Sequence, residues 1–289
     1  MSGPSSSMLL LVTCSRDEAR RDLAVTVMQN RAVLVPRAGL AGRCVVYDNA
    51  SSFDDHLAFA PLGSTVVRSQ TNDGYWSAIK WVLDNRRQLI SGDLRYLYIV
   101  ESDLTHSSLE PLGDCERFLS QEPRAACVRT QEFSVRWRLR FEKRLRLLPF
   151  HVERSAISLA NAVTGERAWF RRAEGFEGIY LSNLHAKLPA LNRLDALERV
   201  FARLADADEF TEGDFFREMM RLYPLIGVFD GGLYHSLVSW SDKKDIVTGS
   251  WAHPDELRRL GYQATRTARI LPVLGAPAVE RRPYKVSVA

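Results

Sequence analysis

An alternation of short apolar runs with longer segments of helical spacing constrains this sequence more than any other feature. Each run is continuous, which is typical of a strand buried on both faces of a sheet. The predicted strands lie at Met8–Thr13, Cys44–Tyr47, Thr65–Val67 and Tyr96–Val100. Between them, Arg16–Gln29 and Gly74–Gln88 repeat apolar side chains every three or four residues, as helices do. Because parallel strands need such long connections, the order predicts an α/β fold with a mostly parallel, doubly wound sheet.

The pattern is less regular beyond Asp103. The expected elements are a helix near Leu109–Gln121, strands near Ala125–Val128 and Val135–Phe141, and further elements at Ile179–Leu184, Leu194–Leu204 and Asp214–Leu222. The segment from about Trp251 contains four prolines and little apolar periodicity, which predicts a wrapping or partly disordered tail. We therefore divide the chain into residues 1–104, 105–250 and 251–289.

Composition and charge exclude several classes of protein. No apolar run approaches the roughly 18 residues of a membrane-spanning helix, and Met8–Val12 is too short for a signal core of about 7–15 residues, so a cytoplasmic protein is expected. The four cysteines lie far apart without zinc-site spacing and are expected to be reduced packing residues. A net charge of +4, from 39 basic and 35 acidic residues, gives no indication of nucleic acid binding.

Polar side chains follow three of the predicted strands where each strand ends. They are Thr13–Arg16, Asp48 and Glu101–Asp103. Ligands of doubly wound sheets bind at the carboxyl ends of the strands, so we expect a ligand site here. The turn after the first strand has no GxGxxG motif, and the chain has no GxxxxGKS or GxxxxGKT motif. These absences argue against a dinucleotide-binding Rossmann domain and a P-loop, and so against hydride transfer and ATP hydrolysis.

Two of these acidic groups suggest specific chemistry. Glu101 and Asp103 flank Ser102 after a buried strand, and two such carboxylates could hold Mg²⁺ or Mn²⁺ against the phosphates of a nucleotide. The alternative is an exposed acidic turn. Asp48, which ends the second strand, could accept hydrogen bonds from a base or a ribose hydroxyl, or could simply form a turn.

Two later segments carry further candidate groups. In Glu209–Phe216, Thr211 is a plausible N-cap, and Glu212 and Asp214 lie in the first turn of a predicted helix. A carboxylate there could take the proton of an attacking hydroxyl, although Asp214 could also serve only as a capping residue. The segment Asp230–His235 pairs two glycines with a histidine that could bind a metal or a phosphate, or could be structural.

Taken in order, these segments resemble the inverting GT-A-fold glycosyltransferases of the family-2 type. Leu10–Arg16 is similar to the first strand and loop of that family, and Val45–Ser51 to its DNxS base-binding segment. Asn72–Ala78 is similar to the NxGxxxA helix start. Tyr98–Asp103 matches the DxD metal motif with Glu in place of the first Asp, and Pro189–Leu197 is similar to the acceptor-side RxxAL helix. The matches span about residues 8 to 236.

The resemblance implies a GT-A fold in which a nucleotide-sugar-binding half, 1–104, merges with a smaller mixed half, 105–250, that binds the acceptor and carries the catalytic base. It implies a nucleoside-diphosphate sugar donor, with a UDP-sugar expected, and a divalent cation, Mn²⁺ or Mg²⁺. The acceptor would be a saccharide or a lipid-linked hydroxyl, and transfer would invert the anomeric centre. Polysaccharide or glycoconjugate synthesis is the expected context.

The resemblance also assigns roles to residues of this chain. Glu101, Asp103 and His235 would hold the metal, and Asp48 would bind the nucleoside. Glu212 aligns with the base, but the contiguous ED pair of the family is missing, so Asp214 remains a competitor. The expected substrate-binding residues are Thr13, Ser15, Arg16, Asp48, Asn72, Gly74, Trp76, Lys80, Ser102 and Asn183.

A basic segment follows in the second half of the chain. Its cations are Arg136, Arg138, Arg140, Lys143, Arg144 and Arg146. The first three alternate with apolar side chains, which predicts a half-buried strand with a solvated basic face. The functional alternative is contact with an anionic lipid-linked acceptor at the inner face of a membrane.

Two other functions compete with glycosyl transfer. A sugar-nucleotide nucleotidyltransferase shares the layered architecture, but we would expect a glycine-rich phosphate loop with a lysine after the first strand, and Thr13–Arg21 has neither. An inactive nucleotide-sugar-binding protein would account for the departures from the DxD and ED motifs. Turnover separates an enzyme from a binding protein.

Overall fold

The computed structural model describes residues 6–53, 65–72, 75–89, 93–130, 169–183, 185, 189–205, 210, 212–231, 233–236, 262–264 and 270–272. Within these ranges the chain forms five helices and thirteen strands. The helices are α1 (Glu18–Arg37), α2 (Tyr75–Leu89), α3 (Leu112–Gln121), α4 (Leu194–Leu204) and α5 (Glu212–Leu222). The first six strands are β1 (Ser7–Thr13), β2 (Cys44–Asn49), β3 (Thr65–Ser69), β4 (Tyr96–Glu101), β5 (Leu104–His106) and β6 (Ala125–Arg129). The others are β7 (Phe170–Arg172), β8 (Ile179–Ser182), β9 (Ala190–Arg193), β10 (Leu225–Phe229), β11 (Tyr234–Ser236), β12 (Tyr262–Ala264) and β13 (Ile270–Pro272).

One nine-stranded sheet organises the described residues, in the order β3-β2-β1-β4-β9-β6-β10-β8-β7. Strands β1 to β4 are parallel to their sheet neighbours in that group, and β6 is parallel to β10. Strand β9 lies antiparallel between β4 and β6, so β6 and β10 run in the same direction as β4. The predicted α/β class with a mostly parallel sheet is confirmed.

The sheet is covered on both faces, which explains the continuous apolar runs. Leu9 and Leu11 of β1 pack with α1 and α3 on one face. Leu10 and Val12 alternate with them and pack with α2, α4 and α5 on the other. A strand buried on both sides gains from an apolar side chain at every position, so it shows no alternation in sequence.

Several predicted boundaries are wrong. Helix α1 continues eight residues beyond Gln29, to Arg37, and α3 begins at Leu112 rather than Leu109. Within Pro189–Leu197, for which the resemblance implied a helix, residues Ala190–Arg193 form β9 and the helix starts at Leu194. The short β9 segment is extended because it pairs with β4 on one side and β6 on the other.

The structure adds little on two other predictions. The predicted strand Val135–Phe141 and the basic segment lie outside the described residues. Within the predicted tail, β12 and β13 pair with each other, and β13 contacts α1. Among the described residues, no helix combines the length and apolar content needed to cross a bilayer.

Candidate functional site

The carboxyl edge of the sheet brings three of the predicted segments together. Thr13, the last residue of β1, is in register with Asp48 of β2, and Asp48 is in register with Arg68 of β3. On the other side of β1, Val12 is in register with Glu101, the last residue of β4. The polar residues that end these strands therefore form one row, as the parallel arrangement requires.

Hydrogen bonds join the loops that follow β1 and β2. The Ser15 amide donates to Ser51 Oγ at 2.7 Å, and the Ser52 amide donates to the Ser15 carbonyl at 2.8 Å. Ala50, just before them, has a φ of 59°, a left-handed conformation that costs a non-glycine residue about 1 kcal/mol or more. The contacts across the loops offset this strain and hold both loops in one shape.

Asp48 is buried and holds its own loop. One carboxylate oxygen accepts a hydrogen bond from the Ser51 amide at 2.9 Å, and the other lies 3.3 Å from Arg68 Nε. The Asp48 side chain has no exposed surface, whereas that of Arg68 is 26% exposed. Arg68 also donates to the Ser51 carbonyl at 2.6 Å. In this conformation Asp48 shapes the loop, and a ligand would meet the surrounding groups first.

Removing the Arg68 cation should leave a buried carboxylate without its charge partner. We expect Arg68→Met to lower the free energy of unfolding by about 3 kcal/mol, because an uncompensated buried charge is costly. Urea denaturation measures the change. Arg95→Met is the control, since the Arg95–Asp93 pair is exposed and should matter by less than about 1 kcal/mol. The double variant Arg68→Met/Asp48→Asn should recover part of the lost free energy of unfolding, because it carries no unpaired charge. If the losses of the two single variants simply add in the double variant, the pairing is contradicted.

Two hydroxyl groups at the end of β1 face no protein partner among the described residues. Thr13 and Ser15 are 1% and 0% exposed, and neither Thr13 Oγ1 nor Ser15 Oγ has a hydrogen-bond partner there. Buried hydroxyl groups are normally hydrogen-bonded, because leaving one unsatisfied costs roughly 1–3 kcal/mol. Like Asp48, neither hydroxyl group reaches the surface in this conformation, so a ligand at this edge would bond them only after a shift of the loop after β1.

The acidic turn lies beside a second small sheet. Glu101, Ser102 and Asp103 are half-buried and connect β4 directly to β5. Strand β5 pairs antiparallel with β11, which places the backbone of His235 opposite Thr105. The topology thus brings the third predicted metal ligand within two register positions of Asp103, although the His235 side chain lies outside the described residues.

The donor chemistry of this turn suits a hard cation. Carboxylate oxygens are the ligands that Mg²⁺ and Mn²⁺ prefer, and Glu101 and Asp103 both retain some solvent exposure. Among the side chains that the structure describes, no group of three His, Cys, Asp or Glu residues forms a complete metal site. The chemistry of the two carboxylates suits a divalent cation, whose remaining ligands would have to come from phosphate, water or the β11 segment.

Helix α5 begins at the same edge of the sheet. Helix α5 leads directly into β10, and β10 ends at the carboxyl edge of the sheet. The helix therefore runs antiparallel to β10, and its first residue lies near the carboxyl edge. Glu212 is its first residue, and the description does not extend to the side chain. Asp214 accepts a hydrogen bond from Arg217 at 2.7 Å on the helix surface. In this conformation Asp214 is therefore paired with a cation on the helix surface.

The other expected substrate-binding residues are more dispersed. Asn72 is exposed and accepts from Asn49 at 2.6 Å, which ties the loop before α2 to β2, and Arg16 is exposed beside Ser15. Lys80 binds Asp84 on the surface of α2 at 2.8 Å, and Asn183 accepts from the Trp169 amide at 3.0 Å. Gly74 lies outside the described residues.

Trp76 belongs to an aromatic cluster at the start of α2. Its ring stacks on Phe215 of α5 with centroids 4.2 Å apart. It also lines a cavity of about 530 Å³ between α2 and α4, next to the start of α5. The other lining residues include Lys80, Asp84, Glu198, Phe201 and Phe210. A larger cavity, of about 770 Å³, lies at the opposite edge of the sheet, near Ser6 and Arg95, and contains none of the predicted site residues.

His185 is a half-buried titratable group close to this region. Its ring centroid lies 6.5 Å from that of Phe216 in α5. Burial lowers the pKa of His185 to about 4, and the charge of nearby Arg129 lowers it further. A hydrogen bond with the Tyr223 backbone raises the pKa but does not cancel these effects. His185 is therefore neutral at pH 7.

The His185 pKa predicts a loss of stability in mild acid. Because the unfolded chain has a histidine pKa near 6.5 and the folded chain one of about 4, the unfolded state binds more protons between these values. We expect the free energy of unfolding to fall by roughly 3 kcal/mol on this account as the pH drops from 6.5 to 4. Urea denaturation of the unsubstituted protein and His185→Asn across this range measures the difference. Parallel pH profiles of the two proteins would show that His185 does not titrate in this way.

Sequence reasoning missed some groups at this edge. Arg68 gives a signal, since it is a cation that directly follows a predicted apolar strand, but its partner on the neighbouring strand depends on the register. Three cysteines are buried as expected, whereas Cys14 is only half-buried in the loop after β1. A single half-buried position in a loop gives no sequence pattern.

Comparisons with known proteins find only distant structural similarity. No protein-family model matches the sequence, and no curated protein matches it. Among solved structures, it is similar to "Crystal structure of GalNAc-T7 with UDP, GalNAc and Mn2+", with a TM-score of 0.49, 12% identity, and coverage of 82% of this chain and 44% of that one. It is also similar to a mannose-1-phosphate geranyltransferase from Thermus thermophilus, with a TM-score of 0.40, 11% identity, and coverage of 84% and 79%. The chain thus spans less than half the length of the first structure, and likeness at these scores does not indicate an activity.

Proposed function

We propose that the protein is a metal-dependent glycosyltransferase that moves a sugar from a nucleoside-diphosphate sugar, a UDP-sugar in the first instance, to an acceptor hydroxyl with inversion. The observation that supports this most is the assembly at one sheet edge of the loops after β1 and β2, the acidic turn after β4, and the start of α5. In this proposal the loops would bind the nucleotide, the acidic turn would bind the cation, and the start of α5 would supply the general base.

The donor half of the site would be residues 1–104. The nucleotide would bind over the loops after β1 and β2, which Asp48 and Arg68 hold in shape. A shift of the loop after β1 would let the nucleotide bond the buried Thr13 and Ser15 hydroxyl groups. Glu101 and Asp103, with His235, would hold a divalent cation. When bound, that cation offsets negative charge on the diphosphate leaving group.

The reaction would be a single displacement at the anomeric carbon. The acceptor hydroxyl oxygen forms a bond to this carbon while its proton moves to the Glu212 carboxylate. The bond between the anomeric carbon and the diphosphate oxygen breaks, and its electrons leave with the diphosphate. Because attack and departure occur on opposite faces, the configuration inverts. Asp214 is the alternative base.

The acceptor half would be residues 105–250 together with the exposed face of α2. The cavity between α2 and α4 combines aromatic rings with the carboxylates of Asp84 and Glu198. Such rings pack against the apolar faces of a sugar ring, and carboxylates accept hydrogen bonds from its hydroxyl groups. We propose this cavity as the saccharide site. A lipid-linked acceptor would add contact through the basic segment Arg136–Arg146.

Product analysis with a panel of sugar nucleotides tests the proposal. The protein is incubated with Mn²⁺, each donor and a mixture of saccharide acceptors, and the products are identified by NMR spectroscopy. Free nucleoside diphosphate and a new glycosidic bond of inverted configuration would support it. In a separate incubation with UTP and a sugar 1-phosphate, release of pyrophosphate would identify a nucleotidyltransferase instead. Binding of a sugar nucleotide without turnover in either incubation would identify a binding protein.

A further inference from the structure

Helix α1 contains two buried polar residues that contact β5 rather than solvent. Asn30 and Arg31 are 7% and 1% exposed. Asn30 Nδ2 donates to the His106 carbonyl at 2.9 Å, and Asn30 Oδ1 accepts from the His106 amide at 2.9 Å. Arg31 donates to the Leu104 carbonyl at 3.2 Å and to Asn30 Oδ1 at 2.9 Å. The Asn30 amide thus makes the pair of bonds that a neighbouring strand would make.

These contacts complete the hydrogen bonding of β5 on the side away from β11. In an antiparallel pair the backbone groups of successive residues point alternately toward and away from the partner strand. Ser107, directly after β5, donates its amide to Leu233 beside β11, so the alternate residue His106 points toward α1. Strand β5, which directly follows the acidic turn, is therefore held between β11 and α1.

The His106 side chain connects the same strand to the main sheet. Its Nε2 lies 2.6 Å from Tyr98 Oη, which lies 3.1 Å from Thr130 Oγ1, and all three side chains are buried. Thr130 donates its proton to the Pro189 carbonyl at 2.7 Å, since a carbonyl only accepts. Tyr98 must then donate to Thr130, and His106 must donate to Tyr98. This order of donors places the His106 proton on Nε2.

We propose that Asn30 and His106 are positioning residues for the acidic turn Glu101–Asp103, an inference that rests on the proposed function of that turn as the cation site. Helix α1 starts directly after the nucleotide loop, where Asp17 caps it, and reaches Asn30 about 18 Å further along. One helix therefore fixes the proposed nucleotide loop relative to β5, the strand that directly follows the proposed cation ligands. Groups that bond a metal ligand directly change metal affinity by about 10–100-fold, and Asn30 and His106 act through the backbone of β5, so we expect an effect at the lower end of that range.

Asn30→Asp tests the proposal with little change of size. The carboxylate can still accept from the His106 amide, but it cannot donate to the His106 carbonyl. Calorimetry of UDP binding then gives two quantities: the Mn²⁺ concentration for half-maximal enhancement, and the UDP affinity in excess EDTA. We expect the Mn²⁺ requirement to rise about tenfold and the metal-free affinity to change less than about twofold. Tyr98→Phe, which removes only the hydroxyl between His106 and Thr130, should act in the same direction.

Thr26→Val is the matched control, because this buried hydroxyl lies one turn earlier in α1 and donates to the Asp22 carbonyl of the same helix rather than to β5. It should leave the Mn²⁺ requirement unchanged. An unchanged requirement in Asn30→Asp, or equal weakening with and without Mn²⁺, overturns the positioning role. If Asn30→Asp does not fold, Tyr98→Phe decides by the same criteria. If the unsubstituted protein binds UDP without any Mn²⁺ dependence, the cation site itself is overturned, and this inference with it.

Discussion

Replacing Glu212 with glutamine is expected to slow sugar transfer by about 10²–10⁴-fold and to leave donor affinity within about twofold. Glutamine keeps the size of the side chain and can still contact the acceptor hydroxyl, but it cannot take up the proton. Loss of a helix-terminal charge would cost only about 1 kcal/mol of stability, too little to account for such a rate. Initial rates with saturating donor, together with calorimetric donor affinity, measure the two effects.

Asp214→Asn is the control for Glu212→Gln because it lies in the same helical turn. Its carboxylate already accepts a hydrogen bond from Arg217 on the helix surface, so this variant should retain most of the activity. Loss of turnover in Asp214→Asn with normal activity in Glu212→Gln would move the base two residues along the helix. Full activity in both variants would remove α5 from the reaction.

Asp103→Asn is expected to reduce the Mn²⁺-supported affinity for UDP on the order of 100-fold. The amide is the same size as the carboxylate but carries no charge, so it is a poor ligand for a hard cation. UDP affinity in EDTA should not fall, because no cation is then bound. Calorimetry with and without Mn²⁺ measures both values.

Asp114→Asn provides a matched control for Asp103→Asn. Asp114 is an exposed carboxylate in α3 that pairs with Arg117, and its loss should leave nucleotide binding unchanged. Equal Mn²⁺ dependence in Asp103→Asn and in the unsubstituted protein would refute the assignment of this carboxylate as a metal ligand.

The sequence predicted best the elements that appear as a continuous pattern of neighbouring residues. Strands β1, β2 and β4 are buried on both faces, so each appears as an apolar run at nearly its true bounds. The helical spacing predicted α1 only as far as Gln29, whereas the helix continues to Arg37, and the polar Asn30 and Arg31 within this extension are buried against β5. Strand β9 was missed because four residues become extended only through pairing with two distant strands.

The predictability of the site follows the same division. The row of Thr13, Asp48 and Glu101 could be expected, since parallel strands align their carboxyl ends. The burial of Asp48 against Arg68 could not, because it depends on the register between β2 and β3. Likewise, the pairing of β11 with β5 joins segments about 130 residues apart, which no local pattern encodes.

The rate of Cys14 alkylation tests the central claim most directly, namely that a nucleoside diphosphate binds at the carboxyl edge of the sheet. Cys14 lies between Thr13 and Ser15 and is half-buried, whereas the other three cysteines are buried, so a maleimide should modify Cys14 first. With Mn²⁺ and UDP at about ten times its Kd, the rate should fall about tenfold, because only about a tenth of the protein is then free. An unchanged rate at that concentration would place the nucleotide elsewhere and contradict the account.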